Sequence, residues 1–449
     1  MNHTIETLSD TRVKVTVTIS ADEVTGHERE ALRDVSAQAR VPGFRPGKAP
    51  EEMIRRRFAK AISEETTRRC VSAAYEYAKD KPSQKVYVLV DAPDTTFTPG
   101  VEAVQSFTFD LMPKIELPTY FGVETKVKPI VIKDEEVDAE VENLRKSRAS
   151  YNPVERAAKA GDYVKVSYKG TIDGADIAGM TDKKIWGTQE NTWEEAGEAG
   201  PNTLGVPAVV EGVIGMAAGD SKDVEQAFEE NHEAEALRGK KGTYHLTVHE
   251  VRERVLPELN DEFFKSVKAE NLEDLKSKIR TEMTNRLSYN RHMSQREQIT
   301  RFLLESCQFE VPQSAHEGEK REVIERIMME NMQRGVPREE FENHKEELDK
   351  SAAEIALIQV RRNFILMEIA TKEKVEATPD DFNRAITLQA MQMRVKPADL
   401  VKELTKDKSN FRRMQRDIVL DKTMELLAEK ASVVESDDAE ESHEGHDHA

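Results

Sequence analysis

Two cysteines in 449 residues, Cys70 and Cys307, are too few and too far apart for a disulfide framework or a CxxC metal knuckle. Aromatic residues make up 6% of the chain, which argues against one large, ring-rich core. No long hydrophobic run is present. The most apolar stretch, SAAEIALIQVRRNFILMEIA at 351–370, is interrupted by Arg361, Arg362 and Asn363, so it reads as a packed helix and not a membrane span. Glycine-rich loops of the P-loop or dinucleotide type are missing, so no ATP-driven cycle and no cofactor are expected. The opening MNHTIETLSD has no basic segment followed by an apolar one, so no signal peptide is read, and the expected location is cytoplasmic.

What the chain has in quantity is charge. Charged residues reach 34% and the formal net charge is −19, which argues against wrapping long duplex DNA. The charge is unevenly placed. Residues 40–69 carry nine Arg/Lys against four Glu, while the last nineteen residues carry seven acids and no Arg or Lys. A basic patch on an acidic protein points to one polyanionic partner met at one place. The length suggests about three domains.

Patterning divides the chain further. Val13, Val15, Val17 and Ile19 alternate with polar residues, the period of a half-buried strand. Ser20 and Glu23 form an S-x-x-E capping box that opens a helix to about Arg40. A second helix is expected from Pro50 to about Lys79, followed by strands at 86–90 and 101–111. Pro113, Pro118 and Pro129 mark an extended passage, and 133–151 reads as a connecting helix. Residues 161–252 combine strand alternation, a DG turn and a glycine-rich segment, which predicts a small antiparallel β domain. From about Pro257 to Ala431 apolar residues recur at helical spacing, and the tail SDDAEESHEGHDHA is acidic and of low complexity.

Between the first two helices lies VPGFRPGKAP, residues 41–50. Glycines let such a loop turn at low steric cost, and prolines reduce its freedom before binding. Arg45 and Lys48 can meet phosphate or carboxylate, and Phe44 can anchor an apolar contact. The plain alternative is a helix–helix loop whose ring folds back onto the core.

The stretch GFRPGKAP resembles the ribosome-docking signature G-F-R-x-G-K-x-P of the trigger factor family of bacterial nascent-chain chaperones, matching it at Gly43, Phe44, Arg45, Gly47, Lys48 and Pro50. The order of regions and the junction RERVLPELNDEFFKSV resemble the family too, so the likeness covers all but the tail. It implies a multidomain α+β protein. Residues 1–112 would be an α+β ribosome-docking domain, 113–156 a linker with a connecting helix, and 157–253 an FKBP-like antiparallel β domain. Residues 254–432 would be a mainly helical chaperone domain with arms, and 433–449 a disordered acidic tail. The docking residues would be Gly43, Phe44, Arg45, Pro46, Gly47, Lys48 and Pro50. The partners would be the large ribosomal subunit near the exit tunnel, through ribosomal protein and rRNA, and nascent unfolded polypeptides. No membrane partner is expected. Dimerisation of the free protein is plausible, since a concave apolar surface is costly to leave in water.

Ten of the fifteen methionines fall in the helical region. Methionine repacks readily against varied apolar partners. Met328, Met329, Met332, Met391 and Met393 are therefore expected on a substrate-facing surface, although a methionine at helical spacing fills a core roughly two times in three. The β domain resembles FKBP-type prolyl isomerases, whose chemistry rests on aromatic rings around the proline. Here the family's pocket corresponds to Tyr168, Ile177, Val206, Val209 and Leu246, with aliphatic side chains replacing most of the rings. Weak or absent isomerase activity is expected, with Trp186 and Trp193 unassigned. His232 aligns beside the pocket, and a surface histidine is the plain reading. His443, His446 and His448 suggest a disordered tail sooner than a metal site, so no metal is expected. The alternatives are a prolyl isomerase acting on folding intermediates and a dedicated assembly or scaffold protein.

Overall fold

The computed structural model describes the chain except residues 46, 182, 201–204, 337–340, 342, 343, 407 and 440–449. It divides into two compact units, Met1–Pro129 with the described residues from Tyr289 on, and Ile130–Ser288.

The first unit opens with β1 (Asn2–Ser9) and β2 (Arg12–Ile19), then α1 (Ala21–Gln38), α2 (Glu51–Arg57), α3 (Ala59–Ala78), β3 (Val86–Asp91) and β4 (Ala103–Leu111). The strands form one antiparallel sheet in the order β1-β2-β4-β3. Alternation on β2 buries Val13, Val15, Val17 and Ile19 against Phe107 and Phe109 of β4. Helix α3 covers that face with Cys70, Ala74 and Ala78, four residues apart. The Ser20–Glu23 capping box is formed in both directions. The helix expected from Pro50 to Lys79 is two helices: Phe58, at φ −117° and ψ 27°, interrupts it where its side chain packs toward Leu32, Ile54 and Ile62. A short strand, β5 (Glu124–Val127), lies in the passage that reads as linker.

The second unit contains α4 (Asp134–Ser147), β6 (Ser150–Val154), β7 (Tyr163–Ile172), β8 (Ala175–Asp176), β9 (Thr188–Glu195), α5 (Pro207–Gly212), β10 (Ser221–Ala227), β11 (Lys241–Val255) and α6 (Asp261–Ser266). Its sheet is antiparallel throughout. The path β10-β11-β7-β8 is extended by β6 against β11 and β9 against β7. The connecting helix thus ends at Ser147, and 150–154 is already part of the β sheet. Val137 and Val141 of α4 pack with Phe263 and Phe264 and with Leu275 and Ile279 of α7 (Leu272–Ser306).

The helical part of the first unit adds α8 (Gln313–Gln333), α9 (Lys345–Glu373), α10 (Pro379–Gln392), α11 (Pro397–Lys406) and α12 (Lys408–Glu429). Ile299 and Leu303 of α7, Ile365, Leu366 and Ile369 of α9, and Met424 and Leu427 of α12 share a core that also takes in Tyr120 and Cys307. The acidic tail begins later than residue 433. β12 (Ser432–Glu435) pairs in parallel with β5, and Arg291 bonds Glu435 at 2.8 Å. A paired backbone of β-branched Val433 and Val434 outweighs the acidic composition there. The fold is therefore N-terminal α+β, central antiparallel sheet and C-terminal helices, as expected.

Candidate functional site

Residues 41–50 are built from two successive turns. The N–H of Phe44 donates to Val41 O at 3.1 Å, and the N–H of Lys48 donates to Arg45 O at 3.0 Å. Gly43 at φ +88° and Gly47 at φ +78° occupy the third position of each turn, where a positive φ excludes most side chains. Each glycine follows a proline in sequence, the pairing that favours such turns. Val41 and Ala49 fasten the base of the loop to Leu32, Ile54 and Ile62. The tip is free: Phe44 is 41% exposed, and Arg45, Gly47 and Lys48 are exposed too. The ring does not fold back onto the core. Pro50 is the N-cap residue of α2, and Pro46 lies outside the described residues.

Four of the five selected methionines are exposed. Met329 and Met332 lie near the end of α8 and Met391 at the end of α10, with Met393 just beyond, and Met391 is 73% accessible. Met328 is half-buried. Helices α10, α11 and α12 enclose a groove of about 830 Å³ whose apolar wall is Leu388, Met393, Leu400, Leu404, Met414 and Ile418. Of the five, this groove gathers Met393 alone. Leu388, at 59% exposure, is a lining residue that a methionine count misses; its i, i+3 relation to Ala385, which also lines the groove, on an amphipathic helix was the available signal.

In the β domain Tyr168, Ile177, Val206, Val209 and Leu246 come together as one buried cluster. Tyr168 donates to Ile185 O at 2.8 Å, and Tyr244 donates to Trp186 O at 2.5 Å. Burial raises both phenol pKa values. Sequence reasoning leaves Trp186 unassigned, but its ring meets His232 at 4.6 Å and Phe228 at 6.2 Å, against the same core. His232 is correspondingly half-buried and not a plain surface residue; its Nδ1 accepts from Ala234 N–H, and its Nε2 is buried without a partner among the described residues. Trp186 ends a short 3-10 turn, Lys184–Trp186, just before β9, and Trp193 lies in β9 itself, stacked under Arg252 at 4.5 Å.

Cys70 and Cys307 are buried, and burial pushes the Cys70 thiol up to about 11. No group of potential metal ligands occurs among the described residues, and the tail histidines lie outside them. No described helix is long and apolar enough to cross a membrane.

Residues 1–144 match the model for bacterial trigger factor protein, and 271–429 match that for its C-terminus. The trigger factor of Opitutus terrae is 40% identical over 435 residues, covering 96% of this chain and 98% of that one. The chain belongs to the trigger factor family. The trigger factor of Shewanella woodyi is 32% identical over 325 residues, 71% of each chain. A solved structure from work on promiscuous substrate recognition by the trigger factor chaperone covers 95% of this chain at 21% identity, with a TM-score of 0.49. As a trigger factor the chain is a ribosome-associated chaperone, with the ribosome and nascent chains as partners.

Proposed function

We propose that residues 43–50 dock this trigger factor on the large ribosomal subunit beside the exit tunnel, and that its helical part shields apolar segments of emerging chains without ATP. The observation that carries this is the exposed Phe44–Arg45 pair held between two turns with fixed glycine geometry. A loop already in its bound shape loses little entropy on docking. Phe44 supplies the apolar anchor, and Arg45 and Lys48 the charge. Clients are held in the groove between α10 and α12, with Met329, Met332 and Met391 as further contacts. The protein works in the cytoplasm, and the free form dimerises when its apolar surfaces have no client. The working parts are residues 1–112 for docking, 157–253 for the β domain and 254–432 for client binding.

Co-sedimentation with vacant ribosomes tests the docking. Wild type should pellet, and the variant with Phe44, Arg45 and Lys48 all alanine should stay in solution. Equal pelleting would remove the loop from the account.

The β domain comes second, as an auxiliary binding surface with weak prolyl isomerase activity. Trp186, Phe228, Tyr168 and Tyr244 supply rings. Ile177, Val209 and Leu246, all fully buried, supply packing where an open aromatic niche would be needed.

A further inference from the structure

Two phenols in the core of the β domain take their hydrogen-bond acceptors from one short segment. Tyr168 and Tyr244 stand on the paired strands β7 and β11 and are 2% and 0% exposed. A buried hydroxyl needs an acceptor, and both of these lie outside the sheet. Tyr168 donates to Ile185 O and Tyr244 to Trp186 O, successive carbonyls of the turn Lys184–Trp186. The same turn is clasped at its outer edge. The Trp186 ring stands edge-on to His232 and Phe228, its Nε1 donates to Glu233 at 2.7 Å, and Lys183 pairs with that carboxylate. Gly187 seats the segment closely on Ala178, where a Cβ would come within 2.6 Å of the Ala178 Cα. Residues 183–187 therefore lie on the rings as a bound peptide would, with carbonyls on the phenols and a side chain in a slot.

A tryptophan of an ordinary core can be held this way, but three observations set this segment apart. It belongs to no strand, since β8 ends at Asp176 and β9 begins at Thr188. Trp186 is only half-buried, and the Lys183–Glu233 pair that fastens its edge has side chains 58% and 47% exposed, a weak tie in water. The closed arrangement also strands a donor. His232 Nδ1 accepts from Ala234 N–H, which puts the ring proton on Nε2, and Nε2 is buried without an acceptor among the described residues. Trp193 gives the contrast: it is held within β9 and under Arg252 of β11.

We infer that residues 183–187 are a displaceable strap occupying the β domain's own binding site, and that an extended client segment takes their place. This rests on the reading of the β domain as an auxiliary binding surface. In the open state the client's backbone carbonyls accept from Tyr168, Tyr244 and His232 Nε2. One apolar side chain fills the slot that Trp186 leaves beside Phe228. Carbonyl recognition does not depend on sequence, which suits partners that share none. The strap also gives the weak isomerase activity a cause. A tethered segment competes at high local concentration, and apparent affinity falls with the fraction of sites that are open.

The test uses the full chain carrying Trp193→Phe, so that Trp186 is its one tryptophan, and a tryptophan-free proline peptide. Trp186 emission and its quenching by acrylamide report the strap, and isomerisation of the peptide reports the site. Peptide should shift the emission to the red and raise the quenching. Glu233→Ala removes both outer ties, and Lys183→Ala removes the exposed ion pair alone. Glu233→Ala should lower the peptide concentration for half the shift about tenfold and raise turnover about as much. Lys183→Ala should do the same to a smaller degree, and as a change to an exposed side chain it leaves the fold intact. A segment that merely completes the core predicts the opposite, since loosening it would slow turnover. Turnover with Trp186 emission unmoved would overturn the inference. So would variants whose loosened Trp186 brings turnover no higher than a measurable wild-type rate. Failure of the β-domain reading itself looks different: no chain would turn the peptide over or shift its emission, even with the strap loosened.

Discussion

The Asp110 carboxylate accepts a 2.8 Å hydrogen bond from the backbone N–H of Ser314, 204 residues further along the chain. Asp110 is fully buried and also takes two bonds from Arg12, at 2.6 and 3.1 Å. Pro312, the N-cap residue of α8, offers no side-chain cap, so the last strand of the N-terminal sheet caps a helix of the chaperone body. This ties the N-terminal sheet to the helical part within one unit.

Asp110→Ala should uncouple them. Removing one partner of a buried pair strands Arg12 and the first turn of α8, at a cost of about 3 kcal/mol. Amide exchange at Ser314 and along β4 should speed up, while β7 and β11 stay protected. Unchanged exchange at Ser314 would deny the link.

The same link should weaken in acid. Burial alone would raise the Asp110 pKa, but the bonds from Arg12 and Ser314 outweigh it and hold the carboxyl below its usual range. A lowered folded value means the stabilisation is complete above the free-carboxyl range, about pH 4, and is lost as pH falls through the folded value. The exchange difference between wild type and Asp110→Asn should therefore shrink steadily below about pH 4. A difference that grows in acid would reverse the sign assigned here.

Gly47→Ala forces a side chain into φ +78°. The strain, about 1–2 kcal/mol, falls on the loop and not on the core. Ribosome affinity should drop about tenfold with thermal unfolding nearly unchanged. Wild-type affinity in this variant would mean that the turn geometry is not what presents Phe44.

Much of this was legible in the sequence, for identifiable reasons. The β2 alternation, the Ser20–Glu23 box and the Pro-Gly pairs of the loop are local signals, and the structure realises each. The misses are long-range. Nothing local announces that Val433 and Val434 pair with 124–127, that Asp110 caps α8, or that Trp186 packs on Phe228 and His232. The methionines were legible as a class but not as a site, because exposure along a helix depends on which face its neighbours cover. Family resemblance gave the signature residues.

Leu388→Asp with Met393→Asp puts two carboxylates in the α10–α12 groove. Each lost apolar contact is worth about 1.5–3 kcal/mol when fully buried, so affinity for unfolded apolar peptides should fall at least tenfold across unrelated sequences. Fluorescence anisotropy over a peptide panel reads this directly. Loss confined to one peptide would favour a dedicated scaffold.

A protease-coupled assay on a proline peptide should show only slight acceleration over the uncatalysed rate, with a barrier remaining near 18–20 kcal/mol. Fast turnover would mean that Trp186 and its neighbouring rings open into a working niche in solution.

The most direct test of the central claim is photo-crosslinking from position 44. A photoreactive phenylalanine analogue replaces Phe44 in the full chain, which is mixed with vacant ribosomes and irradiated. The account predicts crosslinks to components of the large subunit at the exit of the tunnel, and none when the probe replaces the still more exposed Tyr289. No ribosomal crosslink from position 44, or the same pattern from both positions, would contradict it.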